Sequence, residues 1–209
     1  GYLLHSFLSL RTNKRMDEYG GCLENRMRLI RRIIERIQEK AGKEFPIICR
    51  INGTDDISGG MTVQDSTVIA MKLEEMGVSA LHISRATHLR DDRLWATGML
   101  HDGFSADLVA EIKRAVNIPV IAVGRFTEGE YGELLVRQNK ADLIAFGRQS
   151  IADPHFPKKL QEEKPETIFP CIGCLQGCVP NMMAGQPITC LANPTVGKEA
   201  QSQFTAMQK

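Results

Sequence analysis

Long apolar segments and an excess of either charge are both absent from this sequence. The chain has 209 residues and a formal net charge of +1, so it has no broad electrostatic preference for nucleic acid or for an anionic membrane. It contains no run of about 18 apolar residues, the length that a membrane-spanning helix needs. We therefore expect neither a nucleic-acid partner nor a membrane-spanning helix.

An initiator methionine and a secretory leader are also absent. Residues 1–10 are apolar, but they are too short for a signal peptide and no basic segment precedes them. We interpret this start as a cut inside a larger domain. Four of the six cysteines crowd into twenty residues, 171–190, unlike those of a secreted disulfide scaffold. A reduced, cytoplasmic protein is the better interpretation.

The sequence does contain a strict alternation of apolar runs and helical patterns. The apolar runs are residues 46–51, 80–83, 118–123 and 141–146. Helical periodicity covers residues 23–40, 62–76, 104–116, 127–139 and about 154–163. Thr62, Thr127 and Asp153 are predicted N-caps, and Gly42 and Gly77 are predicted stops. Such alternation predicts parallel strands joined by helical crossovers.

The number of strand–helix units decides the predicted fold class. Four parallel strands left open would expose two unpaired edges, and a complete (β/α)8 barrel needs about 250 residues. We therefore predict an α/β fold in which residues 1–163 form the C-terminal half of a TIM (β/α)8 barrel and residues 164–209 form a cysteine-rich extension. The alternative is a small doubly wound domain, but no Gly-x-Gly-x-x-Gly follows a strand.

Gly-Arg pairs follow the last two apolar runs. Gly124-Arg125 comes after the third run and Gly147-Arg148 after the fourth. In such barrels the chemistry lies at the carboxyl ends of the strands, and phosphate sites often follow strands seven and eight. Glycine lets backbone N–H groups approach an anion, and arginine adds a bidentate cation. The alternative is an ordinary loop glycine followed by a solvated arginine.

Three further side chains are candidates for chemistry at the same edge. Arg50 ends the first apolar run, where it either forms a structural ion pair or faces an electron-rich ring or a carboxylate. His88 lies in a polar loop, where it is either solvated or within reach of the active face. Tyr2, interpreted as the end of an apolar strand, is either a core residue or a proton donor, because a phenol is protonated at neutral pH.

Four cysteines form the motif Cys-x2-Cys-x3-Cys-x11-Cys. They are Cys171, Cys174, Cys178 and Cys190. Iron–sulfur clusters take four cysteine thiolates, whereas four-cysteine zinc sites usually have two Cys-x2-Cys pairs, of which only one exists here. The spacing favours a cluster but leaves zinc and a redox dithiol open. Cys22 and Cys49 are predicted bystanders, and Cys49 is expected to be a small buried hydrophobe.

Two long motifs resemble the old yellow enzyme family. The first is Gly-Tyr-Leu-Leu-His-Ser-Phe-Leu-Ser (1–9), with Asn13-Lys-Arg-Met-Asp-Glu-Tyr-Gly-Gly21 and Leu23-Glu-Asn-Arg26. The second is Cys171-Ile-Gly-Cys-Leu-Gln-Gly-Cys178 with Cys190-Leu-Ala-Asn-Pro194. This tail is similar to the iron–sulfur branch that contains 2,4-dienoyl-CoA reductase and trimethylamine dehydrogenase. The resemblance covers residues 1 to about 199, and between the motifs it rests mainly on strand-end residues.

The resemblance implies an NAD(P)H-dependent flavin oxidoreductase whose barrel binds FMN beside a [4Fe–4S] cluster. It implies that Tyr2 is the proton donor and that His88 is its partner near the substrate. Arg50 is expected at the N1/O2 side of the flavin. The implied FMN phosphate site consists of Gly124, Arg125, Gly147 and Arg148, and the implied cluster ligands are Cys171, Cys174, Cys178 and Cys190.

The implied reaction is reduction of an activated C=C bond in a 2,4-dienoyl-CoA or related enoate, with electrons relayed from NAD(P)H through the cluster to FMN. Expected partners are a small enoyl-type substrate, the first half of the barrel, FAD- and NAD(P)H-binding domains, and a second copy if half-barrels pair as a homo-oligomer. The alternatives are an amine dehydrogenase, an inactive fragment and a zinc-stapled interaction module. The charged loop from Arg85 to Arg93 departs from the family pattern and leaves the substrate and the role of His88 open.

Overall fold

Four short parallel strands pair in the order in which they occur along the chain. The computed structural model describes residues 2–198, so Gly1 and residues 199–209, the end of the predicted extension, lie outside the described residues. The strands are β1 (Ile48–Asn52), β2 (Ala80–Ser84), β3 (Val120–Ala122) and β4 (Leu143–Ile144), in one sheet of order β1-β2-β3-β4. All four predicted apolar runs are confirmed as strands. This sequential order contradicts the doubly wound alternative, in which the strand order reverses at a switch point.

Helices precede the first strand, connect the later strands and follow the last one. Over the described residues they are α1 (Tyr2–Leu8), α2 (Leu23–Ala41), α3 (Val63–Glu75), α4 (Asp91–Leu94), α5 (Ala106–Lys113), α6 (Gly129–Arg137), α7 (Arg148–Ala152), α8 (Phe156–Gln161) and α9 (Val179–Met183). Short 3-10 turns occupy His88–Arg90 and Pro165–Thr167. Each helix predicted from periodicity is present, although its ends are shifted. None of the helices within residues 2–198 combines the length with the apolar character that a bilayer-spanning helix needs.

Local chemistry explains the ends of the two longest helices. Helix α2 ends where Gly42, at φ 93°, donates its N–H to the Gln38 carbonyl. Helix α3 begins with a capping box, in which the Thr62 side chain accepts the Asp65 N–H and the Asp65 carboxylate accepts the Thr62 N–H. The predicted stop at Gly42 and the predicted cap at Thr62 are therefore confirmed.

Two of the predicted N-caps were wrong. Thr127 donates its hydroxyl to Asp102 Oδ1 at 2.8 Å, and α6 begins two residues later without a side-chain cap. Asp153 accepts the His155 N–H at 3.1 Å, so it closes a turn ahead of α8 instead of capping that helix. In both places another contact uses the polar group that the sequence pattern assigned to the helix.

The first segment is a helix and not the predicted strand end. Tyr2 is the first residue of α1, whose buried residues His5 and Leu8 repeat at the spacing of a helix face. The buried Arg26 side chain of α2 donates hydrogen bonds to the carbonyls of Leu8 and Gly21. These bonds fix the end of α1 against α2.

The two faces of the sheet differ in burial. The face that packs against the helices is apolar and buried, and it comprises Cys49, Ile51, Leu81, Ile83, Val120 and Ala122. The opposite face carries a row of cross-strand partners, Arg50, His82, Ile121 and Leu143. Leu143 in this row is 52% exposed. In a closed barrel this face is the interior, which layers of side chains fill, so the difference in burial is the one expected of half a barrel.

Candidate active site and cysteine cavity

A cavity of about 780 Å³ lies at the carboxyl ends of the strands. Pockets of about 300–1,000 Å³ are usual for small molecules. All the predicted flavin-site and substrate-site residues line it, namely Tyr2, Arg50, His88, Gly124, Arg125, Gly147 and Arg148. Two of the motif cysteines, Cys171 and Cys178, line it as well. The fold therefore brings these distant parts of the sequence to one place.

The two Gly-Arg pairs bring unsatisfied hydrogen-bond donors to this cavity. Arg125 donates from Nη1 to the Leu100 carbonyl at 2.7 Å, and Arg148 donates from Nη2 to the Ala96 carbonyl at 2.7 Å. Arg125 Nε, Arg148 Nη1 and Ser105 Oγ are buried and have no hydrogen-bond partner among the described residues. A buried donor without an acceptor costs about 1–3 kcal/mol, so anionic oxygens would be stabilised here. The arrangement suits a phosphate group.

The two glycines of these pairs differ in their surroundings. A Cβ atom on Gly124 would lie 2.8 Å from Ser105 Oγ, so a side chain would displace the neighbouring segment. A Cβ atom on Gly147 would meet nothing within 4 Å. Gly124 is therefore needed for packing within the protein, whereas the backbone of Gly147 borders open space that a ligand can approach.

Arg50 forms part of the cavity floor beside His82, its partner on β2. Burial and the Arg50 charge lower the pKa of His82 to about 4, so His82 is neutral at physiological pH. Further along the same face, Ser84 donates its hydroxyl to Asn52 Oδ1 at 2.8 Å, and both residues line the cavity. Sequence analysis did not predict a site role for either residue. The two-residue repeat of a strand, which places Asn52 on the same face as Arg50, could have found them.

Three aromatic rings form one wall of the cavity. The ring centroids of Tyr2 and His88 are 5.7 Å apart, and those of His88 and Trp95 are 6.4 Å apart. Tyr2 is 78% exposed, which does not fit the alternative that it is a core residue. The structure thus places Tyr2 and His88, the two candidate residues of the substrate side, next to each other. Trp95, which sequence analysis missed, extends the same wall.

A buried carboxylate beneath this wall ties α1 to the segment after β1. His5 Nε2 lies 2.8 Å from Asp55 Oδ1, while the Ser9 hydroxyl and the Met61 N–H donate to Asp55 Oδ2 at 2.7 and 2.8 Å. Burial by itself raises the pKa of Asp55, but these contacts outweigh burial, and the pKa lies below its ordinary value. Asp55 is therefore ionised at neutral pH. Sequence analysis missed this group because Ser9 and Asp55 are 46 residues apart.

A second cavity, of about 20 Å³, adjoins the first. The four motif cysteines, Cys171, Cys174, Cys178 and Cys190, all line it, and none of them forms a disulfide. Among residues 2–198, no three cysteine, histidine, aspartate or glutamate side chains converge closely enough to hold a metal ion. The structure therefore groups the four thiols around one cavity without drawing them to a single point. Four thiols are the donor set that an iron–sulfur cluster takes.

Gln149 anchors the start of the cysteine loop. Its side chain is buried, donates to the Phe169 carbonyl at 3.1 Å and accepts the Cys171 N–H at 2.8 Å. Nearby, the Gly98 N–H donates to the Gly173 carbonyl at 3.1 Å. A Cβ atom on Gly173 would lie 2.6 Å from the Gly98 nitrogen, so this close approach requires glycine. Sequence analysis did not identify Gln149.

The other two cysteines lie apart from both cavities. Cys49 is buried in the core, and burial raises the pKa of its thiol to about 11, which keeps it protonated at neutral pH. Cys22 is exposed immediately before α2. Neither residue lines a cavity that holds the predicted site residues, in agreement with their prediction as bystanders.

Known proteins resemble this chain over nearly its whole length. It is 40% identical over 200 residues to an NADH oxidase of Thermoanaerobacter brockii, a match that covers 95% of the chain and 31% of the relative. Among solved structures, 2-naphthoyl-CoA reductase in complex with 2-naphthoyl-CoA has a TM-score of 0.88 and 34% identity, covering 94% of this chain and 30% of that one. Histamine dehydrogenase from Rhizobium sp. 4-9 has a TM-score of 0.83 and 33% identity, covering 92% and 28%. The chain therefore spans about a third of the length of these proteins.

These similarities confirm the predicted fold class, part of a TIM barrel. They also confirm the resemblance to the old yellow enzyme family, in the branch whose solved structures include 2-naphthoyl-CoA reductase and histamine dehydrogenase. The family model described as NADH:flavin oxidoreductase / NADH oxidase matches residues 1–167. Since that match covers most of the chain, the chain belongs to the NADH:flavin oxidoreductase / NADH oxidase family.

Proposed function

We propose that this chain provides the FMN- and substrate-binding part of an NAD(P)H-dependent ene-reductase and holds a [4Fe–4S] cluster beside it. The substrate class is a small molecule with an activated C=C bond, a 2,4-dienoyl-CoA or a related enoate. One observation carries the proposal. Every residue predicted for the flavin, substrate and cluster sites lines one of two adjoining cavities, and Arg148, Cys171 and Cys178 line both.

The phosphate of FMN would bind at the two Gly-Arg pairs. The buried donors Arg125 Nε and Arg148 Nη1, which have no partner among the described residues, would donate to its oxygens, and the open space at Gly147 admits it. Arg50, on the cavity floor, would lie beside the N1/O2 side of the ring and stabilise negative charge there. When bound, FMN supplies hydride-transfer chemistry and the cluster supplies single-electron transfer.

Tyr2 would donate the proton that completes alkene reduction. Its ring lies on the cavity wall and its side chain is exposed, so the hydroxyl is accessible to a substrate. His88 would orient that hydroxyl, since the two rings are adjacent. The His5–Asp55 contact holds the helix that begins at Tyr2. Proton donation by a positioned side chain contributes about 10²- to 10⁴-fold to a rate.

Cys171, Cys174, Cys178 and Cys190 would ligate the cluster. Three of these thiols lie within eight residues of sequence, and the fourth follows a turn that the Thr189 N–H closes by donating to the Gly177 carbonyl at 2.9 Å. Because Cys171 and Cys178 also line the larger cavity, the cluster would lie next to the flavin. This adjacency suits electron transfer between the two groups.

The remainder of the machinery would come from outside the described residues. The first barrel strands, an FAD-binding domain and an NAD(P)H-binding domain are proposed as partners, because the chain spans 31% of the NADH oxidase that it resembles. A cytoplasmic location and a homo-oligomer belong to the same proposal. The domain boundary near residue 163 also belongs to it, and the end of α8 at Gln161 supports that position.

Oxidation of an amine is the second candidate function. The similarity to histamine dehydrogenase, with 33% identity and a TM-score of 0.83, favours it nearly as strongly as the similarity to 2-naphthoyl-CoA reductase favours ene-reduction. Six arginines line the cavity, and their positive charge would repel a cationic amine. We therefore place ene-reduction first.

Substitution of Tyr2 by phenylalanine tests the proposed role of its hydroxyl. In the FMN- and cluster-loaded holoenzyme, Tyr2→Phe should slow alkene reduction about 100-fold or more and leave flavin reduction by NAD(P)H unchanged, as measured by stopped-flow absorbance. Tyr19→Phe is the matched control, because the Tyr19 hydroxyl accepts a hydrogen bond from Arg32 outside the cavity. Equal slowing of both half-reactions by Tyr2→Phe would contradict the role, and turnover of amines but not of alkenes would favour the second candidate.

A further inference from the structure

Positive charge exceeds negative charge around the larger cavity. Over the described residues, its charged lining consists of Arg11, Arg50, Arg85, Arg93, Arg125, Arg148 and a single carboxylate, Asp55. That carboxylate already has three partners, His5, Ser9 and Met61. In the proposed function, Arg125 and Arg148 serve the flavin phosphate and Arg50 serves the flavin ring. The arginines of the segment after β2 have no role in that scheme.

The first arginine of this segment, Arg85, is fully engaged within the protein. It donates from Nε and Nη2 to the two carboxylate oxygens of Asp56 at 2.6 and 3.1 Å. It also donates from Nη1 to the Phe104 carbonyl at 2.9 Å and stacks over the Phe104 ring. A bidentate pair of this kind satisfies both ions, so Arg85 has a structural role.

The second arginine, Arg93, forms no hydrogen bond with a carboxylate among the described residues. Its Nη1 lies 3.6 Å from Asp56 Oδ2, beyond hydrogen-bond distance, and both oxygens of Asp56 already accept from Arg85. Its Nε lies 4.0 Å from Asp92 Oδ2 and is buried without a hydrogen-bond partner among the described residues. Asp92 itself accepts two hydrogen bonds from Arg90 at 2.9 Å. Arg93 is therefore a cavity-lining cation whose acidic neighbours are bonded to other arginines.

Arg93 lies on the substrate side of the cavity. It belongs to the same short segment as His88 and Trp95, whose rings meet along the wall that begins at Tyr2. We propose that Arg93 binds a carboxylate of the substrate, so that the preferred substrate is a free α,β-unsaturated carboxylate and not its neutral amide or a thioester. This inference rests on the proposed function, whose substrate class it narrows.

The chemistry of the two groups supports this assignment. A guanidinium presents N–H donors in a planar fork that matches a carboxylate, and the unpaired Nε would gain an acceptor. A thioester or amide carbonyl is neutral and would add no counter-charge to the two carboxylates that Arg93 shares with Arg85 and Arg90. A hydrogen bond to a charged group contributes about 1.5–3 kcal/mol, which corresponds to a preference of about tenfold or more for the acid.

Paired ligands and matched variants test the inference in the holoenzyme. The probes are trans-cinnamate, cinnamamide and cinnamoyl-CoA, and the readouts are Kd from perturbation of the bound-flavin spectrum and the rate of alkene reduction. Arg93→Gln should raise the Kd of cinnamate about tenfold or more and leave that of cinnamamide within about twofold. Arg93→Lys should restore part of the difference. Arg36→Gln is the control, because Arg36 pairs with Glu39 on α2 and does not line the cavity, and it should behave as the wild type.

The outcomes separate this inference from the proposed function. If the wild type reduces cinnamamide or cinnamoyl-CoA as well as it reduces cinnamate, the ene-reductase proposal holds and the carboxylate site is refuted. If Arg93→Gln weakens all three ligands equally, the residue acts on the fold and the inference fails. If cinnamate binds with the expected dependence on Arg93 but no alkene is reduced, the binding site is supported and the proposed reaction is not.

Discussion

Residues 2–163, which we propose as the barrel part of the chain, and residues 164–198, the described part of the proposed extension, are held together by different interactions. In the barrel part, a continuous apolar core packs α2, α3, α5 and α6 against the sheet, and it includes the fully buried Leu73, Leu81, Ile83 and Ile112. In the extension, only Gly173 and Asn193 are buried. The extension therefore gains little stabilisation from removal of apolar surface from water.

Polar contacts with the barrel position the extension instead. Gln149 fixes Phe169 and Cys171, and Asp153 accepts the Phe169 N–H at 3.1 Å. Asn193 donates to the Ile151 carbonyl at 2.9 Å. Hydrogen bonds of this kind contribute only about 0.5–1.5 kcal/mol each. A segment of this length with so little burial needs another source of order, and bonds from four thiolates to a cluster would provide it.

Loss of a cysteine ligand should have the largest effect, and it should fall on the extension. In anaerobically purified protein, Cys174→Ser should abolish a cluster of about four irons per chain, because it removes one of the four ligands. Limited proteolysis should then cleave the extension while the barrel part resists. Iron, sulfide and zinc assays, with an absorption spectrum, are the measurements.

Cys22→Ser is the matched control for this experiment. It changes an exposed thiol outside the two cavities, so iron content and protease resistance should stay at wild-type values. A colourless, zinc-loaded wild-type protein would contradict the cluster and favour the zinc-stapled module.

A core substitution should have a smaller effect, and it should fall on the barrel part. Leu81 in β2 is fully buried, so Leu81→Ala should lower the free energy of unfolding by about 2–5 kcal/mol. Ile172, within the cysteine motif, is 57% exposed, and Ile172→Ala should change the free energy of unfolding by no more than about 0.5 kcal/mol. Urea unfolding followed by circular dichroism measures both. Similar losses for the two variants would show that apolar burial also holds the extension.

Hydrophobic periodicity was sufficient to predict the barrel part. The strands of a parallel sheet are buried on the helix-facing side, so runs such as residues 118–123 are recognisable without any tertiary information. The α1 prediction failed because its apolar run is short, and a short run fits a strand and a helix equally well. Thr127 failed as a cap because its hydroxyl bonds to Asp102, which is 25 residues away.

The candidate site was predictable where one rule applies to each strand separately. Gly124 and Gly147, which follow the ends of β3 and β4, were predicted because chemistry gathers at the carboxyl ends of barrel strands, and both line the larger cavity. Gln149 was not predicted, and Arg93 was noted only as part of the charged loop from Arg85 to Arg93, since the contacts of both residues depend on partners elsewhere in the sequence. The Gln149 side chain bonds to Cys171, 22 residues later, and the unmatched charge of Arg93 arises because Arg85 occupies Asp56.

Acid should have the smallest effect, and it should reach the two regions in different pH windows. In β2, burial and the charge of Arg50 lower the pKa of His82 from its ordinary value of 6.5 to about 4. Below pH 6.5 His82 is protonated in the unfolded chain, whereas in the folded chain it stays neutral until about pH 4. The barrel part therefore loses stability as the pH falls through that interval. For one proton the slope is at most about 1.4 kcal/mol per pH unit.

The hydrogen bonds at Asp153 should respond only to stronger acid. Burial raises the pKa of Asp153, but hydrogen bonds from Lys159, Phe169 and His155 outweigh burial and hold it below its ordinary value of 3.8. The stabilisation from Asp153 is therefore complete above pH 3.8 and is lost as the pH falls through the lowered pKa.

Urea unfolding between pH 7 and 4.5 should show a decline in the free energy of unfolding that His82→Gln removes. His101→Gln, a change of an exposed histidine, should leave the decline intact. Protection of the Phe169 amide from hydrogen exchange should persist over this range, because the Asp153 carboxylate that it contacts is still ionised. If that protection is lost in parallel with the stability of the barrel part, one interaction network holds both regions.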